Sequence, residues 1–387
     1  LVEARPWLGG RLGCESDPIA GDSARAWLQT VLARLQAMPN VRILSRTTLV
    51  SVHEHGVQAA VEETDPAALA ADPELPRQRL WVIRSGKLLV TSGAWERPLV
   101  FPGNDRPGIM LASAVRSMIN RHAVCPGSRF VVLTSGDDAY RTAFDLQRIG
   151  RPPVAVVDLR RSAGAVAGQA RAAGLRVIEG AQPESTQGGR RLHALAIRDA
   201  DGRIESLTCD AIAMSAGFNP DVSLSSQLGV PPQWDPQRGL FLPPVPEDGT
   251  LVAAGAAAGV FGFDAAARSG WEHGLRAAGV SAGALPQAAA ELAGLVISGA
   301  GLCPRTTVGE AQWSGRCSGR GKAFVDFQHD VTVDDIELAH REGFVSVEHL
   351  KRYTTLGMGT DQGRTSSVNG LLLLAAARGQ PVEAVGT

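Results

Sequence analysis

Arg129-Phe-Val-Val-Leu-Thr-Ser-Gly-Asp-Asp-Ala139 decides the fold class. Its unbroken apolar run reads as a strand buried on both faces, and the Ser135-Gly-Asp-Asp turn leads straight into a helical pattern ending near Ile149. A second apolar run, Val154 to Leu159, supplies the next strand and completes a βαβ unit. Dinucleotide-binding units of this kind cradle pyrophosphate on several glycines at the first turn. Gly136 stands alone there, so the unit reads as a dinucleotide fold whose own site is degenerate. The adjacent acids Asp137 and Asp138 are expected to cap the helix rather than bind a metal.

Outward from this unit, the pattern predicts a helix over Ala163–Ala173, a turn at Gly174 and a strand over Leu175–Glu179. A hairpin over His193–Leu207 and a buried strand from Asp210 into Gly217-Phe-Asn-Pro220 follow. Upstream, Phe101-Pro-Gly-Asn-Asp-Arg-Pro-Gly108 reads as a rigid connector before a helical stretch over Ile109–Asn120. Residues 98–217 therefore form an inserted domain, flanked by 1–97 and 218–295, which belong to another.

That other domain carries its own nucleotide signals. Leu1-Val-Glu3 reads as the end of a buried strand closing on an acid that could accept bonds from a ribose diol, followed by Gly9-Gly10. Helical spacing spans Ser23–Met38, strand patterns cover Val41–Val52 and Arg79–Val90, and Glu62–Arg79 reads as an exposed insertion. Small residues in Thr91-Ser-Gly-Ala94 and Ala254-Gly-Ala-Ala-Ala-Gly259 let backbone and a helix start approach a cofactor. Helices are expected at Pro286–Leu295 and Val333–Arg341, with a Gly/Arg/Cys-rich linker over 296–321 and a small helical domain over 322–387. In that last part, Lys351-Arg-Tyr-Thr-Thr-Leu-Gly-Met-Gly-Thr-Asp-Gln-Gly-Arg-Thr365 precedes the apolar run Val368–Ala377. Cations, glycines and a helix start together suggest outward-pointing N–H groups ready for an anion.

Composition narrows the function classes. A net charge of −1 across 387 residues argues against nucleic acid or a membrane surface as partner. No apolar run is long enough to span a bilayer. Five cysteines without a CxxC pair read as small buried side chains in a reducing compartment, not a disulfide frame or metal cage. His122, His273 and His349 read as surface or packing residues. Starting at Leu1 rather than Met, the chain reads as an internal piece of a longer protein.

The order of Glu3, Gly9-Gly10, Thr91–Ala94, Ser215-Ala-Gly217 and Ala254-Gly255 resembles that of two-dinucleotide-domain flavoprotein disulfide reductases, without their redox cysteine pair. Ala94–Ala112, Lys322–Thr332 and Val347–Gly363 more closely resemble the α subunit of heterotetrameric sarcosine oxidase, over essentially the whole chain. The resemblance implies an α/β fold with two Rossmann-like domains, the second inserted into the first, plus a small helical domain. It implies a cytoplasmic assembly with β, γ and δ subunits that demethylates sarcosine to glycine with tetrahydrofolate and O2, giving 5,10-methylenetetrahydrofolate and H2O2. FAD and the amine-oxidising site are expected on β, FMN between α and β, and folate on a further C-terminal domain of α, so no residue here is expected to be catalytic.

By the same resemblance, NAD would meet Glu3, Arg11, Leu49, Val50, Gly93, Gly255, Ala256, Phe261 and Phe263. Val2 stands where an acid is expected, leaving one carboxylate for the ribose. FMN would meet Lys351, Arg352, Thr354, Gln362, Gly363, Arg364 and Thr365. The small domain also resembles cysteine-ligated [2Fe–2S] modules, but Asp326, Gln328, Asp361 and Ser366 stand at the ligand positions, which implies no iron–sulfur cluster. N-methylglutamate or opine dehydrogenases, and a stand-alone NAD(P)H-dependent flavin reductase, are the alternatives.

Overall fold

The computed structural model describes residues 1–19, 21–244, 249–279 and 321–386. At the start, Val2 makes a single parallel bridge to Leu44. The buried strand expected there does not form: with one bridge, Leu1 and Val2 stay 59% and 37% exposed. Helix α1 (Ala24–Ala37) begins at Ser23, whose hydroxyl accepts the Ala26 N–H, an ordinary N-cap. Strands β1 (Thr47–His53), β2 (Val57–Glu63) and β3 (Gln78–Arg84) form an antiparallel sheet. The short helix α2 (Pro66–Ala71), capped by Asp65, lies in the β2–β3 connection. The expected insertion is thus a hairpin connection, with Glu62 opposite Arg79 in the ladder. Strand β4 (Leu88–Val90) follows.

Next come β5 (Ala94–Glu96), β6 (Ile109–Leu111), α3 (Ala112–His122), β7 (Phe130–Thr134), α4 (Asp138–Arg148) and β8 (Ala155–Asp158). After them run α5 (Ala165–Ala172), β9 (Val177–Glu179), β10 (Gln182–Gln187), β11 (Ala194–Arg198), β12 (Ile204–Thr208), β13 (Ala211–Ser215) and β14 (Phe218–Pro220). The helix expected from Ile109 instead starts at Ala112, because Ile109, Met110 and Leu111 pair with Ile212, Ala213 and Met214. A five-stranded parallel sheet results, in the order β9-β8-β7-β13-β6. Period-two alternation splits its side chains. Phe130, Val132, Val156 and Ala213 pack beneath α3, α4 and α5, while Val131, Leu133, Val157 and Ile212 face the antiparallel β10–β12 sheet. Burying each of the larger side chains contributes about 1.5–3 kcal/mol.

The chain then forms β15 (Leu251–Ala253), parallel to β4, and helix α6 (Phe263–Ala277). Its last described part holds β16 (Phe324–Asp326), β17 (Val331–Thr332), α7 (Val333–Arg341), α8 (Val347–Thr354), α9 (Ser367–Arg378) and α10 (Val382–Val385). A reciprocal Thr332/Asp335 capping box starts α7. The expected helix at 286–295, linker residues 296–320, Cys303 and Cys317 lie outside the described residues.

Two compact units emerge. In their described residues, one comprises Leu1–Gly93, Pro220–Gln233 and Leu242–Gly301, the other Ala94–Asn219, Trp234–Phe241 and Leu302–Thr387. Segments 98–217 and 322–387, separate domains on the sequence reading, therefore share one unit. Val100 lies in the core formed by Val325, Ile336, Leu350 and Leu374. Asn104 binds both backbone groups of Phe324 at 2.8 Å, and Asn369 Nδ2 donates to Pro98 O at 3.0 Å. Trp234–Phe241 belongs here too rather than with 218–295, since Trp234 and Phe241 pack on the same core and Arg97 Nη2 donates to Gly239 O.

Candidate functional site

In the first unit, Glu3 N–H and C=O bond to Leu44 and Thr47, which sets Glu3 beside the start of β1, the strand carrying Leu49 and Val50. Its Oε1 accepts the Arg5 N–H at 2.9 Å. Leu49 packs with the Val52, Val90 and Leu251 cluster, whereas Val50 is 47% exposed. Gly93 adopts φ 86° and its carbonyl accepts the Asp221 N–H. Beyond β15, Gly255–Ala258 makes one 3-10 turn, and the Gly255 N–H is taken by Ser269 Oγ of α6 at 3.1 Å. Phe263 opens α6 and packs edge-on against Trp27 of α1, with centroids 5.9 Å apart. Arg11 is exposed on the 3-10 turn Gly10–Cys14, and Phe261 and Ala256 are half-buried near the start of α6.

This is a strand, small-residue turn and helix start, the arrangement that lets a nucleotide approach backbone. Asp264, which the sequence pattern did not single out, sits in the first turn of α6 with Oδ1 buried and lacking a hydrogen-bond partner. An unpaired carboxylate oxygen fits a hydroxyl donor, such as a ribose carries, better than a phosphate. The residues thus suit the sugar end of a nucleotide.

In the second unit, the Lys351–Thr365 stretch differs from its sequence reading. Lys351 and Arg352 occupy the last turn of α8, a helix the pattern missed, and Lys351 Nζ pairs with Glu348 at 3.3 Å. Most of the loop N–H groups are taken up internally and do not point outward for an anion. Gly357 N–H donates to Asp326 Oδ2 (2.8 Å), and Asp361 takes the N–H groups of Gly363 (3.0 Å) and Thr365 (3.2 Å) and the Thr365 hydroxyl (2.7 Å). Met358, Gln362, Arg364 and Ser366 donate to loop carbonyls. Thr354 Oγ1 donates to Leu350 O, and Gln362 Nε2 to Gly359 O. Burial works to raise the Asp361 pKa, but the Thr365 hydroxyl and the Gly363 and Thr365 amides hold it below its ordinary value. What faces solvent is side chain: Arg352 is exposed, and the Arg364 guanidinium lies 4.8 Å over the Trp95 ring.

The four positions compared with cluster ligands are tied to one another instead. Ser366 Oγ donates to Asp326 Oδ2 at 3.1 Å, and Gln328 Oε1 accepts from Thr360 Oγ1 at 3.0 Å and Asp361 N at 3.4 Å. Among the described residues, no group of three or more His, Cys, Asp or Glu side chains could hold a metal ion. The cysteines do not share one environment: Cys209 is buried and its thiol pKa pushed up to about 11, chiefly by that burial, while Cys125 is exposed and Cys14 half-buried. His122 and His349 are exposed, and His273 Nδ1 lies 2.7 Å from Ser269 O.

At the carboxyl ends of the parallel strands, Asp137 does not cap α4 through its side chain, contrary to expectation, because Arg160 Nη1 draws its Oδ1 to 2.7 Å. Glu96 is 5% exposed there and accepts the Ser113 N–H at 2.8 Å and its hydroxyl, so β5 caps α3 from a distance. Burial, reinforced by nearby Asp138, raises its pKa to about 6 against the pull of Ser113. Among the described residues no helix is long and apolar enough to cross a membrane.

The fold is shared with solved oxidoreductase structures. L-proline dehydrogenase from P. horikoshii superposes with a TM-score of 0.66 at 19% identity, covering 100% of this chain and 70% of that one. Thioredoxin reductase from Lactococcus lactis follows with 0.51 at 16% identity, covering 72% and 89%. Sequence relationship is more specific. Residues 320–387 match the sarcosine oxidase A3 domain family. The sarcosine oxidase alpha subunit of Rhizobium meliloti strain 1021 is 38% identical over 100% of the chain, and that of Corynebacterium sp. strain P-1 is 35% identical over 100%. Over the stretch it spans, the chain belongs to the sarcosine oxidase alpha-subunit family. It covers 38% and 40% of the length of those two relatives.

Proposed function

We propose that this chain is the nucleotide-binding part of the alpha subunit of a multi-subunit sarcosine oxidase, holding NAD in its first unit and helping to enclose FMN beside α8 and the 356–366 loop. The observation that carries this is the 38% identity, over the whole chain, to a sarcosine oxidase alpha subunit. NAD would lie between Glu3, Arg11, Leu49, Val50 and Gly93 on one side and Gly255, Ala256, Phe261 and Phe263 on the other. Asp264 would accept a hydroxyl of its sugar. FMN, shared with β, would meet Lys351, Arg352 and Arg364 through charge, and Thr354, Gln362, Gly363 and Thr365 as the wall of its pocket.

Catalysis falls to the partners. FAD held by β would supply the oxidising chemistry for the secondary amine, FMN enclosed between β and Lys351, Arg352 and Arg364 would supply electron transfer toward O2, and tetrahydrofolate on a further domain of α would accept the one-carbon product. The γ and δ subunits complete a cytoplasmic assembly. This chain's residues orient cofactors and exclude water. With most of the loop amides internally satisfied, side-chain cations carry the attraction for phosphate. In the complete enzyme, Lys351→Ala with Arg352→Ala should lower FMN retention while leaving NAD bound; equal FMN content in variant and wild type would reject the FMN assignment.

A related substrate is the second reading. An opine oxidase subunit of Agrobacterium tumefaciens strain Ach5 is 24% identical over 93% of this chain and 76% of its own length. Turnover of sarcosine against N-methylglutamate and an opine by the purified complex separates the two, since selection would rest on the partner that binds the amine.

A further inference from the structure

We propose that Arg160 and Asp137 exclude nicotinamide dinucleotides from the crevice of the second unit, closing with the chain's own side chains a site its topology would otherwise offer. In open parallel α/β sheets a ligand sits outside the carboxyl ends of the strands where strand order reverses. Here the order β9-β8-β7-β13-β6 turns about β7, so the β7–α4 turn and the end of β8 are the elements that would read pyrophosphate and ribose.

Both are already occupied. Asp158, at the end of β8, is 0% exposed. Its Oδ1 accepts the Arg160 N–H (2.9 Å) and Nε–H (3.0 Å), and its Oδ2 accepts Arg160 Nη2–H (2.8 Å) and the Tyr140 hydroxyl (2.9 Å). No acceptor site is left for a ribose diol. The guanidinium then reaches across with Nη1 to Asp137 Oδ1 at 2.7 Å, at the residue preceding α4. One side chain therefore links the ribose-reading position to the phosphate-reading position. Burial opposes the charge on Arg160, but its bonds to Asp158 and Asp137 raise its pKa and keep it ionised.

The turn is spent as well. Ser135 N–H donates to Ser215 O at 3.1 Å and Gly136 N–H to Thr134 Oγ1 at 3.0 Å. A pyrophosphate would meet the carboxylates of Asp137 and Asp138, the latter 7% exposed, instead of bare amides. Two carboxylates on one guanidinium leave this triad with a net negative charge, which repels a phosphate.

The test is titration of the complete multi-subunit enzyme with NADH and NADPH by fluorescence, and with ADP-ribose by calorimetry, after the co-purified nucleotide has been counted. Wild type should show no saturable dinucleotide binding beyond that resident content. Asp137→Gly removes the repelling carboxylate, gives the turn a second glycine and frees an Arg160 donor for phosphate. It should raise NADPH affinity by on the order of tenfold, a gain of about 1.4 kcal/mol. Asp137→Asn, which keeps a bond to Arg160 without the charge, should gain less. A saturable further equivalent of dinucleotide in wild type overturns the proposal. So does Asp137→Gly protein with unchanged circular dichroism and no gain. Should that variant fail to assemble, the wild-type titration decides alone.

Discussion

Replacing Asp326 by alanine should unfasten the 356–366 loop. The carboxylate is 2% exposed and accepts four bonds: Gln328 N–H (2.8 Å), His329 N–H (3.2 Å), Gly357 N–H (2.8 Å) and Ser366 O–H (3.1 Å). Alanine leaves the donors with nothing to bond. Each buried unsatisfied group costs about 1–3 kcal/mol, but Gln328 and His329 sit at a turn that water can reach. The remaining two, Gly357 N–H and the 0%-exposed Ser366 hydroxyl, set a loss of about 3–4 kcal/mol. Asp326→Asn retains one acceptor oxygen, and the Ser366 hydroxyl can turn to accept from the new amide. It should therefore lose roughly half as much. Urea denaturation followed by circular dichroism measures both, and hydrogen exchange at the Gly357 amide locates the effect. A shift below about 0.5 kcal/mol for Asp326→Ala, within the ordinary range of surface changes, would refute the role given to this carboxylate, as would unchanged protection of Gly357.

Glu96 gives a pH signature. Its carboxyl titrates near 6 when folded against 4.5 otherwise, so between these values the folded chain holds a proton that the unfolded chain has released. Stability therefore falls as pH rises through this window, by about 2 kcal/mol, and is level above it. Denaturation midpoints from pH 4.5 to 7 should show that loss in wild type and not in Glu96→Gln; parallel curves would contradict it. Gly363→Ala tests the loop backbone: Gly363 has φ +72°, and an added Cβ would lie 2.0 Å from Ser367 Oγ and 3.1 Å from Gly357 Cα. A loss of at least about 1–2 kcal/mol in thermal or urea unfolding is expected, and an unchanged midpoint would show that the loop relaxes freely.

Much of the fold was readable because it is local. The apolar run ending at Thr134, the helical spacing over Ser23–Met38 and the helix over Val333–Arg341 are each specified within about fifteen residues, and the structure forms these elements close to where the pattern puts them. Other parts depend on distant partners. Ile109–Leu111 is a strand because residues 212–214 lie beside it, and β10 is polar in sequence yet pairs with β11. The Gly357 and Asp361 amides looked available because their acceptors, Asp326 and Gln328, come some thirty residues earlier. The reach of Arg160 to Asp137 is equally non-local. Gly255 and Ala256 stand on a turn before a helix start legible from small residues, whereas the unpaired oxygen of Asp264 shows only in three dimensions.

The central claim is a division of cofactors: NAD in this chain's first unit, and FMN only where a partner completes the pocket. Full-length alpha subunit, purified with and without its partners, denatured and assayed for released and covalently retained nucleotides, tests it most directly. The account predicts close to one NAD per alpha subunit in both preparations and FMN only in the complex. FAD and NADPH turnover in alpha alone, or alpha protein empty of nucleotide, would contradict it.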